Sequence, residues 1–214
     1  MIIAEIGQNH CGEMWLAKSL ITEAMLEEAD LVKFQLYDHN MLYKDHPEIS
    51  DVALSFSQAK MLFDYGEKIG IEVFFSVFDV ERVKWCEEIG VKRYKIAKNL
   101  GDETVMAIID TGKLVISSRE LSPTMFDEYK QLYCVSKYPT LLSDLHFDFD
   151  NGFIGFSDHT IGLDAAKIAL ARGASIIEKH FAVDHHTGID AEWSMTPEDL
   201  KGLKRWELVC KEVI

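Results

Sequence analysis

Four times along this chain a helix-like pattern closes on a glycine and a β-rich run opens within a few residues. Gly70 precedes Ile71-Glu72-Val73-Phe74-Phe75-Ser76, and Gly90 precedes Val91-Lys92-Arg93-Tyr94-Lys95-Ile96. Gly112 precedes Lys113-Leu114-Val115-Ile116-Ser117, and Gly173 precedes Ser175-Ile176-Ile177. Glycine takes the left-handed conformation that ends a helix at no steric cost, so this is the chemistry of a short helix-to-strand loop. Its repetition points to parallel strands joined by crossover helices.

Extended along the chain, the pattern gives eight strands, near 2–7, 31–35, 73–76, 93–96, 114–117, 131–135, 152–156 and 175–179. Most are followed by a helix, the last running from Pro197 to about Val213. Residues 141–150, after the sixth strand, read as loop or a single turn. Ser55 with Gln58 has the spacing of a capping box, and Asp79 reads as the N-cap of a helix holding Val80, Val83 and Cys86. Ser122-Pro123 and Thr196-Pro197 each set a cap residue before a first-turn proline. Residues 38–54 form a long polar connection, a candidate lid or specificity loop. Eight strands in β-then-α order predict an α/β fold, a compact (β/α)8 TIM barrel over residues 1–214 as one domain, with a doubly wound open sheet as the alternative.

Composition narrows the function. Apolar residues make up 48% of the chain, too many for a disordered one. A net charge of -14 excludes a protein that coats nucleic acid or an anionic membrane. Cys11, Cys86, Cys134 and Cys210 are scattered with no CxxC, which fits reduced thiols in a cytoplasmic protein. The opening MIIAEIG is too short for a secretory leader and carries Glu5, and no apolar run approaches the length of a membrane span.

Residues 152–181, GFIGFSDHTIGLDAAKIALARGASIIEKHF, carry the strongest chemical signal. Two short apolar runs each end in a histidine-bearing polar cluster, with a helical pattern between them. As a βαβ unit, this stretch puts His159 and His180 at the carboxyl ends of adjacent parallel strands. A lone histidine there would simply cap its strand, but a pair favours ligation of a divalent metal. The residues closing the other strands converge on the same face of a barrel. They are Glu5, Lys33 and Gln35, Ser76, Lys95 and Lys98, Ser117 with Ser118 and Arg119, Ser136 with Tyr138, Ser157, and Glu178. Lysines, serines, an arginine and a histidine pair on one rim suggest a small anionic ligand held beside a metal.

These motifs resemble the barrel domain of the sialic acid synthase (N-acetylneuraminate synthase) family, which condenses phosphoenolpyruvate with an N-acetylated amino sugar. AEIGQNHCG resembles the family's opening motif, VKFQ its second strand, YKIA its fourth and KYPT its sixth. FSDHT and IEKHF are similar to the seventh and eighth, and GIDAEWSM to the segment that follows; the resemblance runs from Ile2 to about Leu203. It implies a transferase that joins phosphoenolpyruvate to N-acetylmannosamine or a related sugar, forming a nonulosonic acid and releasing phosphate. It implies Mn2+ or Mg2+ on His159 and His180, polarising the open-chain aldehyde. Lys33, Lys95, Ser117, Ser136 and Ser157 fall where the family contacts phosphoenolpyruvate. Glu5, Gln35, Tyr138 and Asp190 fall where it handles the sugar and its aldehyde. Glu5 is the candidate for proton transfer, its alternative being a buried carboxylate paired with a neighbouring lysine.

Three features depart from that pattern. Lys98 stands where the family has a phosphate-contacting serine, so it either adds charge to the phosphate seat or fills it. Ser118-Arg119-Glu120 replaces the usual Thr-Gly-Met after the fifth strand, with the same two outcomes for Arg119. The third expected departure is a barrel without the family's small C-terminal antifreeze-like domain, which would act as a homodimer or with a separate partner chain. Two other readings stay open, a divergent barrel aldolase or lyase with a changed substrate and a non-catalytic ligand-binding barrel. Among the remaining histidines, His39, His46 and His146 read as solvated loop residues. His185 and His186 read as an exposed loop rather than a second metal site, and His10 either borders the sugar pocket or packs its own loop.

Overall fold

The computed structural model of the chain describes residues 1–42, 44–45, 51–147, 149 and 152–213. Eight parallel strands close a barrel in sequence order: β1 Ile2–Gly7, β2 Leu31–Leu36, β3 Glu72–Val77, β4 Arg93–Ile96, β5 Leu114–Ser117, β6 Tyr129–Cys134, β7 Gly155–Asp158 and β8 Ile176–His180. β1 pairs with both β2 and β8, which excludes the open sheet. Around the barrel lie α1 Met14–Leu26, α2 His39–Leu42, α3 Phe56–Ile69, α4 Val80–Ile89, α5 Asp102–Ile109, α6 Asp164–Ala171 and α7 Pro197–Val213.

The local signals act as their chemistry requires. Ser55 and Gln58 cap each other's backbone at the start of α3, and Asp79 accepts from the Arg82 N–H at 2.9 Å. Gly70 and Gly90 end α3 and α4 in the left-handed region, at φ 89° and 91°.

Two expectations need correcting. The Ser122-Pro123 cap begins a single 3₁₀ turn, Pro123–Met125, rather than a helix, and a second turn, Leu142–Asp144, follows β6. The connection across residues 118–128 is shorter than the dozen or so that a full helical crossover between parallel strands needs. The seventh strand starts at Gly155, not near 152, because Phe153 packs on the ring of Tyr133 at 5.7 Å instead of extending the sheet. At Gly155 a Cβ would come 2.3 Å from the Ile176 carbonyl oxygen, so only glycine lets β7 lie this close to β8. His46 and most of residues 43–50 lie outside the described residues.

The barrel interior is built in layers that follow the period-two alternation of a strand. At its base Ile3, Leu31, Phe74, Ile116, Leu132 and Ile176 form one buried apolar plug. Two residues further along the same strands come Glu5, Lys33, Ser76, Ser118, Cys134 and Glu178, and all six line a cleft at the strand carboxyl ends. A second, larger core joins the outer strand faces to the helices. Among the described residues no helix is long and apolar enough to cross a membrane.

The amino-terminal charge ties α7 to the base of the barrel. Buried Glu207 meets the Lys204 ammonium at 3.0 Å, the Lys211 ammonium at 2.8 Å and the Met1 ammonium at 2.5 Å. Burial alone would raise its pKa, but hydrogen bonds from these three cations overcome that and pull it down to about 2. The stability this adds is present above the ordinary glutamate pKa of 4.5 and is lost as pH falls from there towards about 2. Glu207→Gln is expected to cost about 1–3 kcal/mol at pH 7. It should also flatten the acid limb of the stability curve, as urea unfolding at pH 7, 5 and 3 would show. A mutant curve parallel to the wild type below pH 4.5 would refute this.

Candidate active site

The polar layer above the plug alternates in charge. Lys33 Nζ lies 2.7 Å from Glu5 Oε2 and 3.5 Å from Glu178 Oε2, and Lys95 Nζ lies 3.2 Å from Glu178 Oε1. Hydroxyls complete the shell: the Lys33 ammonium donates to Ser76 Oγ and the Lys95 ammonium to Ser118 Oγ, both at 2.7 Å, while Ser157 Oγ donates to Glu178 at 2.9 Å. Gln35 Nε2 donates to the free oxygen of Glu5 at 3.1 Å. Every one of these four charged groups is at least 95% buried, so each is held in place by its partners rather than by water.

The two carboxylates are pushed apart by their surroundings. Burial raises Glu178, but Lys33 and Lys95 on either side override it and hold its pKa at about 2. Burial raises Glu5 as well, and there Lys33 alone cannot offset it while the Glu178 charge adds to the rise. Glu178 therefore stays ionised, and Glu5, its pKa raised, is the member of the pair that takes up a proton first.

Above this layer the ring centres of His159 and His180 are 5.6 Å apart. Burial lowers both pKa values, His159 to about 4 and His180 well below its usual range, so both imidazoles are neutral. His159 Nδ1 lies 3.3 Å from the Val135 carbonyl, which can only accept, so the proton sits on Nδ1 and the Nε2 lone pair is free. Asp190 Oδ2 is 3.3 Å from His180 Nδ1 without hydrogen-bond alignment, and burial followed by the Glu5 charge raises the Asp190 pKa to about 7. Gly7 makes room here: a Cβ on it would come within 3.0 Å of Glu5 Oε1 and 3.4 Å of His180 Cε1. Among the described residues no group of three or more His, Cys, Asp or Glu is arranged to hold a metal. The protein thus offers a divalent cation two neutral imidazoles beside a room left by glycine. Two imidazoles, with oxygen ligands from substrate or water in the remaining positions, would suit a transition-metal ion such as Mn2+ better than Mg2+, which takes an all-oxygen shell.

The whole cleft holds about 580 Å³. It brings together Glu5, Lys33, Gln35, Ser76, Lys95, Lys98, Ser136, Tyr138, Ser157, His159, His180 and Asp190 from the residues expected. Ser117 and Arg119 are not among them. Ile116 points into the barrel, so Ser118 follows it inward and Ser117 faces outward, where its hydroxyl binds the main chain of Arg119. The Arg119 guanidinium turns to the Leu100 carbonyl and the Asp102 carboxylate. Lys98 stays at the rim, its ammonium 3.2 Å from Glu120 and a third exposed, so it does not fill the floor.

Several lining residues lie beyond the set expected to touch substrate or metal. Ser118 and Glu178, expected at the strand ends but given no contact of their own, stand two residues beyond Ile116 and Ile176 and so face the cleft. Gln8, Asn99 and Trp193 stand outside the regular strands and helices, where no periodicity marks them. Asn9 does not line the cleft but builds its wall. Its amide donates to the Phe181 carbonyl at 3.0 Å and to Ser194 Oγ at 2.9 Å, and its oxygen accepts the Asp190 N–H at 2.9 Å.

Comparison with known proteins points in one direction. The NeuB family model matches residues 20–208. The N,N'-diacetyllegionaminic acid synthase of Legionella pneumophila is 29% identical, over 94% of this chain and 69% of that protein. The N-acetylneuraminate-9-phosphate synthase of Drosophila melanogaster is 30% identical, over 94% of this chain and 65% of that protein. The crystal structure of N-acetylneuraminic acid synthetase from Leptospira borgpetersenii, in complex with citrate, superposes with a TM-score of 0.89 at 31% identity. It covers 99% of this chain and 84% of that one. The Legionella match spans 247 aligned positions, more than the 214 residues here, so that relative carries extra residues inside the shared region.

Proposed function

The chain belongs to the NeuB family, and we propose that it condenses phosphoenolpyruvate with an N-acetylated amino sugar, N-acetylmannosamine or a relative of it, to give a nonulosonic acid and phosphate. One observation carries the reading. Two buried lysines, each shared between a serine hydroxyl and a glutamate, stand at the barrel floor below a pair of neutral histidines, an arrangement that would suit an anion held beside a metal.

In this reading Lys33, Lys95, Ser76, Ser118 and Ser157 bind the phosphate and carboxylate oxygens of phosphoenolpyruvate. Ionised Glu178 fixes both ammonium groups, so the seat is organised before the ligand arrives. His159 and His180 would hold Mn2+ or Mg2+, which when bound supplies Lewis-acid polarisation of the sugar's aldehyde oxygen. Gln35, Tyr138 and Asp190 orient the open-chain sugar. A carbon–carbon bond forms between carbon 3 of phosphoenolpyruvate and the aldehyde carbon, and the aldehyde oxygen takes a proton. Glu5, whose pKa is raised beside this position, delivers it. Water then adds at carbon 2 with loss of a proton, and the C–O bond to phosphate breaks.

Phosphate release from phosphoenolpyruvate in the presence of N-acetylmannosamine and related amino sugars tests the reaction. Absence of turnover across such a panel, with Mn2+ supplied, would overturn it. The metal assignment has its own test. His159→Ala and His180→Ala should each weaken Mn2+ binding by at least about 100-fold in calorimetry, because either change removes half of the protein's ligands. Unchanged affinity in both variants would remove the histidines from that role.

A further inference from the structure

Trp193 occupies a place that none of the other tryptophans shares. Trp15 and Trp206 are exposed on α1 and α7, and Trp85 packs on Phe56. Trp193 ends a 3₁₀ turn in the connection between β8 and α7, and that connection is seated on Asn9 from two sides. Asn9 bonds the Phe181 carbonyl, the Ser194 hydroxyl and the Asp190 amide, and Ser194 Oγ closes the ring by donating to the Asp190 carbonyl at 2.7 Å. Gly188, at φ 118°, passes so near that a Cβ there would lie 2.4 Å from Asn9 Oδ1. The backbone that carries the indole is therefore fixed in position. Its ring centre is 6.0 Å from that of Tyr138 and 6.3 Å from that of His180, and it lines the cleft that Ile189 also lines.

The indole Nε1–H is buried, and among the described residues it has no hydrogen-bond acceptor. The same holds for Nε2 of Gln8, a side chain only 3% exposed that lines the same cleft. Native proteins seldom leave buried donors unmatched, and those that are unmatched at a binding cleft point to an acceptor on the ligand. An indole can only donate, so its partner must bring a lone pair. The ring of Tyr138 at 6.0 Å, with Ile189 lining the same cleft, offers apolar surface suited to a short alkyl group. A carbonyl oxygen carrying a methyl group, as in an acylamino substituent, satisfies both demands at once.

We propose that Trp193, assisted by Gln8, is the specificity-determining residue that reads the acyl-amide of the sugar substrate. This rests on the sugar-acid synthase reading above and adds which part of the sugar is recognised and by what. A site built to hydrogen-bond a substrate group discriminates against analogues lacking it, because its own buried donor is then left unpaired.

The test is Trp193→Phe, which keeps an aromatic wall and removes the N–H, with Gln8→Met as an independent second variant. Trp193→Phe should raise KM for N-acetylmannosamine about tenfold, the loss of one buried hydrogen bond, with KM for phosphoenolpyruvate unchanged. Gln8→Met should shift the same constant in the same direction. Titration with N-acetylmannosamine should change tryptophan emission in the wild type and not in Trp193→Phe. An unchanged sugar KM in both variants, or equal losses for both substrates, would overturn the inference. Failure of the wild type to turn over any acylamino sugar would instead count against the proposed reaction. The inference would then be judged by emission titrations of N-acetylmannosamine against mannose. Preference for the acylated sugar would sustain it, and equal binding would end it.

Discussion

Lys95→Met is expected to lower kcat/KM for phosphoenolpyruvate by about 10³-fold. Lys95 is 3% exposed, and its ammonium is shared between Glu178 at 3.2 Å and Ser118 Oγ at 2.7 Å, so it has no freedom to be replaced by solvent. Removing one partner from a desolvated, hydrogen-bonded charge pair costs roughly 2–5 kcal/mol, and about 4 kcal/mol corresponds to that fold-change. The loss has two sources. The ligand's anionic oxygens lose a charged donor, and Glu178 loses a neighbour that holds it ionised, so it too becomes a worse partner for Lys33. Arg119→Gln is the informative contrast. Its guanidinium is engaged with Leu100 and Asp102 outside the cleft, so KM for phosphoenolpyruvate should stay within about threefold. Steady-state kinetics on both variants, with thermal unfolding alongside to exclude misfolding, would decide the matter. A Lys95→Met enzyme within tenfold of the wild type would place the anion elsewhere.

That contrast also shows which parts of the site were legible in the sequence. Strand order, barrel closure and the histidine pair follow from period, punctuation and the rule that parallel strands share a carboxyl edge. The inward layer was legible in principle, since each of its members stands two residues beyond a plug residue. Ser117 against Ser118 shows the limit. Adjacent serines differ only in phase, and phase is set by Ile116 facing the plug, which no local pattern announces. The start of β7 depended on Phe153 preferring Tyr133 to the sheet, a contact between distant segments. The loop residues were hidden for the same reason. Asn9 earns its place by bonding residues 172 to 185 positions away, and Gly188 by passing beside it. Sequence spacing reports neighbours along a strand or helix; it does not report which loops meet over a barrel mouth.

The outward phase of β7 and β8 leads to the second large effect. Lys179→Met is expected to cost about 3–5 kcal/mol, because it strands a fully buried carboxylate. Asp158 and Lys179 are paired in register across β7 and β8, one residue out of phase with the cleft-facing Ser157, Glu178 and His180. Both side chains are 0% exposed; Lys179 Nζ lies 3.0 Å from Asp158 Oδ2 and donates to the Thr160 carbonyl at 2.6 Å. The other Asp158 oxygen accepts from Thr160 N and Oγ1, both at 2.8 Å, so Thr160 is tied to both members of the pair. For a domain of this size the loss should appear as a drop in Tm of about 6–20 °C. Asp158→Leu combined with Lys179→Met removes both charges and should recover much of that, since a buried pair seldom outperforms apolar packing. What the double variant should not recover is Mn2+ affinity. His159 directly follows Asp158, and His180 directly follows Lys179, so the pair that crosses the outer wall is expected to set where the two imidazoles stand on the inner one. Restored Tm with weakened metal binding would mean that the charges hold position more than they hold the fold together. Full recovery of both would show that the strand ladder alone keeps the histidines in place.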